Sequence, residues 1–289
     1  MAEQVDINNT SANIRVPVGW KDFLAGYISG VANICVGQPF DICKVRIQRQ
    51  GHGSFTTMFM GIVKNEGVLS LWKGSTFPLI TFGVCNAILF AVNDQSKYMF
   101  KKLMDVKDLS VPFLFLSGGF AGLANTFVSC PMEHIRIRMQ IQDSGFKLYK
   151  NSIDAAVQIY KAHGFVGLNK GFGVSFVREF FLYGSYFAAY EFCRQYNPST
   201  NPLWMMTCGG IGGMAGWIGG CLIDNVKSKI QGDSLTDPKY KNARTLFRQL
   251  SYRELSKGFT VGLYRSYPVN VVTFCTYELS CMMLYGDKY

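Results

Sequence analysis

Long apolar segments alternate along this chain with shorter segments that carry most of its charge. Four segments contain no charged residue at all: residues 23–40, 74–93, 109–132 and 203–223. A helix needs about 20 residues to cross a bilayer, so each segment predicts a membrane-spanning helix. Residues 171–190 and 258–277 are equally apolar except for Arg178, Glu179 and Arg265. We predict that they are two further spans, which makes six in all, with these charges inside a helix bundle, because a charge facing lipid is costly.

One pattern of residues occurs three times, with its acids 92 and 91 residues apart. In each copy an acid is followed three residues later by a base: Asp41 and Lys44, Glu133 and Arg136, Asp224 and Lys227. Gly26, Gly118 and Gly209 each open a Gly-x-x-x-Gly pattern thirteen residues before Pro39, Pro131 and Leu222, respectively. Such glycines let membrane helices approach closely. The chain is therefore predicted to be a threefold repeat.

Each repeat is predicted to contain a span, a basic loop and a second span. The predicted units are an N-terminal tail at residues 1–19 and repeats at residues 20–102, 109–197 and 202–285. A short amphipathic helix is predicted inside each loop, at residues 54–65, 153–162 and 242–251, and the apolar period is weakest in the last.

The triplicated pattern resembles the signature of the mitochondrial carrier family, in which Pro-x-acid-x-x-base ends each odd-numbered span. The resemblance covers the chain from about residue 20 onward. It implies an all-α membrane protein with six transmembrane helices in three pseudo-symmetric repeats and short helices on the matrix side. It also implies a multi-pass transporter of the mitochondrial inner membrane, with a small-molecule substrate and no enzymatic activity.

The positive charge is concentrated in the three basic loops. Residues 44–73, 136–170 and 227–257 hold 19 of the 29 Lys and Arg residues. By the positive-inside tendency these loops face the matrix, and an even number of spans places both termini towards the intermembrane space. The net charge of +10 therefore belongs to membrane topology, and we expect no nucleic-acid partner. No metal-type spacing or phosphate-binding loop is present, so no metal or cofactor is expected.

The resemblance implies two layers of ion pairs that act as gates. On the matrix side the acid of each repeat would pair with the base of the next: Asp41 with Arg136, Glu133 with Lys227, and Asp224 with Lys44. On the intermembrane side the gate residues would be Asp94, Lys97, Glu191, Arg194 and Glu278. There Asp94 would pair with Arg194 and Glu278 with Lys97, while Glu191 would lack a partner because Cys281 replaces the third base.

Substrate-contact residues are implied between the gates at Thr81, Arg178, Glu179 and Arg265. An arginine followed by an acid resembles the carriers for basic amino acids and for carnitine and its esters. Two arginines suit a carboxylate and Glu179 suits an ammonium, so the pattern favours a zwitterion; an internal structural pair is the alternative. Basic amino acid carriers also have an acid near Cys85, where this chain has none.

Trp72, Lys73 and Gly74 resemble the family's cardiolipin-binding signature, so bound cardiolipin and other membrane lipids are expected. The leading hypothesis is exchange of a small zwitterionic metabolite, an amino acid or an acylcarnitine, by alternating access. The alternative is a carrier-derived, non-transporting subunit of a larger inner-membrane assembly. Departures from the repeat pattern at Leu222 and Cys281 favour that alternative.

Overall fold

The computed structural model describes residues 20–50, 54–142, 148–197, 202–240, 242–255 and 258–285. Within these ranges all regular secondary structure is helical. The ten α-helices are α1 Trp20–Gln50, α2 Phe55–Glu66, α3 Thr76–Met104, α4 Val111–Ile141, α5 Ser152–Leu168, α6 Phe172–Tyr196, α7 Pro202–Gln231, α8 Ala243–Gln249, α9 Tyr252–Leu255 and α10 Phe259–Tyr285. A 3-10 helix, Val68–Trp72, precedes α3.

The six long helices form a closed ring around a central cavity. In ring order they are α1, α3, α4, α6, α7 and α10, and α10 packs back against α1. The odd helices of the three repeats, α1, α4 and α7, also contact one another. The sequence repeat is therefore a spatial repeat, with three helix pairs arranged about one axis.

Glycines set the close approach of α4, α6 and α7. A Cβ atom on Gly122 would lie 2.3 Å from the Glu179 carbonyl oxygen, so only glycine fits there. In the third repeat the contact register differs from the predicted one. Gly213 has open space around it, whereas a Cβ on Gly219 would lie 2.8 Å from the Phe181 carbonyl oxygen. The reason is that α7 packs its glycines on α6, a helix of the preceding repeat, rather than on its own partner α10.

The short helices match the predicted amphipathic segments, and each packs on the C-terminal half of an odd helix. Ile62 of α2 clusters with Ile42 of α1, and Ile159 of α5 clusters with Ile135 of α4. Leu246 of α8 packs with Val226 in the same way. These three equivalent apolar clusters fix the loop helices beneath the ring.

The ring has an apolar outside and a polar inside. Ile80 and Val84 of α3 are 63% and 54% exposed, and they face outward. Glu179, Asn125 and Lys227 are almost fully buried inside. By length and apolar character alone, the segments Val68–Met104 and Val111–Ile141 qualify as spans among the described residues. The two arginines inside the remaining predicted spans, Arg178 of α6 and Arg265 of α10, contact acids inside the bundle.

Candidate functional site

All three ion pairs expected on the matrix side are present where α1, α4 and α7 converge. Lys44 Nζ lies 2.6 Å from Asp224 Oδ2, and Arg136 Nη2 lies 2.7 Å from Asp41 Oδ2. Lys227 contacts Glu133 directly. An acid and a base three residues apart share one helix face, so each helix offers its acid to one neighbour and its base to the other. Their role as a gate stays a prediction.

Neighbouring side chains support these pairs, and the sequence analysis did not assign them. Gln48 Nε2 donates to Asp224 Oδ2 at 3.2 Å, and Gln38 Oε1 accepts from Arg136 at 2.5 Å. Lys44 Nζ also lies 3.9 Å from the centre of the Trp217 ring, a cation–π contact. The sequence repeat could have identified Gln48, because a glutamine follows the base of each motif by four residues. These glutamines are Gln48, Gln140 and Gln231.

The two cavity arginines contact the acids of the matrix pairs. Arg265 Nε lies 2.8 Å from Asp41 Oδ1. Arg178 lies 3.2 Å from Asp224 and 3.5 Å from Glu133, and it also contacts Glu179. The arginines and the matrix pairs are thus one connected network, whereas the sequence suggested separate layers. A ligand that binds either guanidinium must compete with a matrix-pair carboxylate.

Glu179, which was expected to contact a substrate ammonium, is almost fully buried. The residue is 1% exposed, and its carboxylate contacts Arg178 and lies 3.8 Å from Lys227. The backbone of α6 packs closely on Gly122 at this point. In this arrangement Glu179 neutralises Arg178 rather than presenting a free carboxylate. Direct contact with a substrate ammonium stays a prediction, and it would require Arg178 to move.

The central cavity has two adjoining lobes of about 340 Å³ and 360 Å³. Both are lined by Asp41, Glu133, Arg136, Arg178 and Arg265. Thr81 lines the second lobe together with Arg178, Glu179 and Arg265, so the four implied contact residues share one space. The Thr81 hydroxyl donates to the Phe77 carbonyl at 2.8 Å, which leaves its oxygen as an acceptor towards the cavity.

Polar wall residues complete the cavity. Asn33 and Asn125 both line the second lobe. They are 92 residues apart, the same spacing as the acids of the first two repeats. Their equivalence by repeat position, together with their polarity inside apolar spans, is the signal that could have identified them.

The intermembrane-side residues pair differently from the implied scheme. Lys97 Nζ lies 2.7 Å from Glu191 Oε1 and 2.9 Å from Asp94 Oδ1. The expectation that Glu191 lacks a partner is wrong, because the long Lys97 side chain reaches from α3 to α6. Among the described side chains, Asp94 pairs with Lys97 on its own helix rather than with Arg194, whose guanidinium lies 5.8 Å from the Tyr190 ring centre. The Glu278 side chain lies outside the described residues.

The Trp72-Lys73-Gly74 segment is tied to the protein itself. Lys73 contacts Glu66, which also receives two bonds from Arg46, and Trp72 Nε1 donates to the Cys35 carbonyl at 3.0 Å. Burial alone would raise the pKa of Glu66, but the hydrogen bonds from Arg46 and Lys73 hold that pKa below its ordinary value. The Lys73 ammonium is thereby held by a protein carboxylate that it shares with Arg46. Lipid binding at this segment stays a prediction and would depend on the backbone amides at the start of α3.

An apolar groove lies at the equivalent position between the second and third repeats. It encloses about 670 Å³ between the start of α6, α7 and α8. Phe172, Ile230 and Phe247 supply apolar surface, while Lys170 and Arg244 supply charge at its edge. Among the described residues no acid pairs with Lys170 as Glu66 pairs with Lys73. Lys170 donates instead to the carbonyls of Asp233 and Ser234, at 3.0 and 2.6 Å.

Comparisons with known proteins agree with this architecture. The family model described as mitochondrial carrier protein matches residues 17–103, 107–201 and 198–288. The chain is 37% identical over 277 residues to the glutamate/glycine mitochondrial carrier ymc1 of Schizosaccharomyces pombe, covering 89% of this chain and 92% of that protein. It is 34% identical over 284 residues to the human mitochondrial basic amino acids transporter, covering 92% and 91%. It is 34% identical over 286 residues to the mitochondrial glycine transporter YMC1 of Saccharomyces cerevisiae, covering 91% of each. This chain belongs to the mitochondrial carrier protein family.

Proposed function

We propose that this protein exchanges a small amino acid across the mitochondrial inner membrane by alternating access. The observation that carries the proposal is the direct contact of the cavity arginines with the acids of the matrix ion pairs. The relatives support the cargo class, since their names refer to glutamate, glycine and basic amino acids. Carnitine and its esters are the alternative cargo, because they also combine a carboxylate with a cation.

The mechanism follows from competition for the arginines. A substrate carboxylate at Arg265 displaces Asp41 from that guanidinium, and one at Arg178 displaces Asp224 and Glu133. Desolvation nearly offsets the attraction within buried ion pairs, so losing these extra contacts is enough to make the matrix pairs separable. Binding free energy is thereby converted into a shift between the two open states. Closure on the other side then relies on the Lys97–Glu191 pair.

The third repeat supports transport over the non-transporting alternative. A degenerate repeat would be expected to lose its ion pair first. Asp224 instead has three polar partners, Lys44, Arg178 and Gln48. Leu222, which replaces the expected proline, lies within the continuous helix α7 and leaves this pair intact.

The test of the function is countertransport by the purified protein in liposomes. We expect saturable uptake of a labelled amino acid that depends on unlabelled amino acid inside the vesicle, because an exchanger returns to its first open state only with a substrate bound. Glycine, glutamate, lysine and carnitine are compared, with protein-free vesicles as the control. Folded protein that transports none of the four would contradict the proposal.

In the same vesicles, a membrane-impermeant label should reach single cysteines near both termini from one side, since the proposed topology places both termini towards the intermembrane space.

Cardiolipin is the lipid that we propose for the groove beside α8. Its phosphates suit Lys170, Arg244 and the backbone amides at the start of α6, and its acyl chains suit the apolar wall. We expect cardiolipin to raise the melting temperature of the purified protein, and Arg244→Ala to remove about 1 kcal/mol of that stabilisation, or roughly 2–4 °C. Arg248→Ala on the same helix is the matched control, because Arg248 does not line the groove. Equal responses of the two variants to cardiolipin would count against this site.

A further inference from the structure

The wall of the central cavity carries one more positive charge than negative. The charged residues that line its two lobes are the acids Asp41, Glu133, Glu179 and Asp224 and the bases Lys44, Arg136, Arg178, Lys227 and Arg265. Five bases against four acids give a surplus of +1, and no histidine is among the lining residues described. Protonation of any of the four acids would only enlarge this surplus.

Arg265 is the surplus base. Asp41 is shared between two guanidinium groups, with Oδ2 on Arg136 at 2.7 Å and Oδ1 on Arg265 at 2.8 Å. The Arg265 side chain is 33% exposed, against 23% for that of Arg136, and it is the most exposed of the five cations. The Nε atoms of Arg136, Arg178 and Arg265 are all buried without an acceptor in hydrogen-bonding geometry, so the greater exposure is what distinguishes Arg265. A ligand carboxylate can therefore take Arg265 while Asp41 keeps Arg136.

The acids offer a matching place for an ammonium group. The Glu133 side chain is 29% exposed, whereas those of Asp41, Asp224 and Glu179 are 16%, 8% and 2% exposed. Glu133 and Arg265 line both lobes. A ligand with an ammonium and a carboxylate can therefore satisfy Glu133 and Arg265 together, and a second carboxylate would meet the remaining positive charge.

We propose that the preferred cargo is an acidic amino acid with a net charge of −1; this inference rests on the proposed function. When the cavity closes on both sides, its net charge sits in a medium of low dielectric, where uncompensated charge is costly. A monoanion brings the loaded cavity to neutrality. A neutral amino acid leaves +1, and lysine or arginine raises the charge to +2. The order of preference is then acidic, neutral and basic.

The test measures the concentrations of glutamate, glycine and lysine that half-maximally stabilise the full-length protein against heat, and those that half-saturate its uptake in liposomes. For the natural sequence we expect glutamate to act at a concentration at least tenfold below that of glycine, and lysine to be weakest. Asn86→Asp adds a carboxylate of nearly identical shape to the second lobe, which Asn86 lines. It should reduce the glutamate-over-glycine preference at least tenfold, whereas the neutral control Asn86→Ser should keep it.

A second test removes the surplus positive charge instead of compensating for it. It compares Arg265→Gln with the charge-retaining Arg265→Lys. The glutamine variant should lose the preference for glutamate, and the lysine variant should retain part of it. Equal or better action of glycine or lysine on the natural protein would overturn the charge inference and leave amino acid exchange standing. An unchanged preference in both Asn86→Asp and Arg265→Gln would do the same. A folded protein that responds to none of the three amino acids would overturn the proposed function and this inference together.

Discussion

Replacing Arg178 with alanine is expected to lower exchange at least 100-fold. Arg178 contacts Glu179, Glu133 and Asp224, so its loss removes a guanidinium that can bind a substrate carboxylate and the link from the cavity to two matrix pairs. Losing one charged partner at a buried site costs about 3–5 kcal/mol, which corresponds to a factor of 100 or more. Initial rates of countertransport in liposomes measure the effect, and substrate-induced thermal stabilisation should vanish with it.

A double variant separates the loss of function from the loss of folding. Arg178→Ala leaves Glu179 buried with Lys227 as its remaining cation, at 3.8 Å, which should also destabilise the protein. Arg178→Ala combined with Glu179→Ala removes the unpaired acid and should recover much of the thermal stability without restoring exchange. Arg178→Lys keeps the charge but loses the planar fork, so we expect a partial defect. Normal exchange in either alanine variant would show that Arg178 has no part in transport.

Asp224→Asn is expected to be the most destabilising of the single substitutions that remove an acid from the matrix network. The Asp224 side chain is 8% exposed, forms ion pairs with Lys44 and Arg178, and accepts a hydrogen bond from Gln48. Neutralising it leaves two buried cations without their shared anion, which should cost about 3–5 kcal/mol of unfolding free energy. The melting temperature of the purified protein should fall by several degrees. A cysteine placed at Thr81 should also become more reactive from the matrix side, because the gate is weakened.

The matched control is Asp94→Asn, which removes a carboxylate that is 56% exposed and bonded to Lys97 on the same helix. Exposed pairs contribute about 0–1 kcal/mol, so this variant should differ little from the natural protein in both measurements. If Asp224→Asn melts at the same temperature as Asp94→Asn and leaves the labelling rates unchanged, the matrix network does not hold the cavity closed.

The linear pattern of residues was sufficient for the overall architecture. Acids 92 and 91 residues apart require three equivalent units, and apolar segments of spanning length between basic loops require a helix pair in each. The short loop helices followed from apolar periodicity, and α2, α5 and α8 lie where it indicated. The partners of Asp41, Glu133 and Asp224 followed from the family resemblance. These features repeat at fixed spacing, and such local order can be read directly from the chain.

Features that depend on the reach and packing of individual side chains needed the tertiary structure. The sequence left Glu191 without a base, but the packing of α3 and α6 brings it within 2.7 Å of Lys97. The contact glycines of α7 lie in a different register because α7 packs on α6. From the sequence, Glu179 and Arg265 were both implied to contact the substrate. In the structure Glu179 is almost fully buried between α4 and α6, whereas Arg265 is exposed to the cavity. Spacing along the chain specifies which helix face a residue occupies, whereas the crossing of neighbouring helices decides which charges meet and which stay available to a ligand.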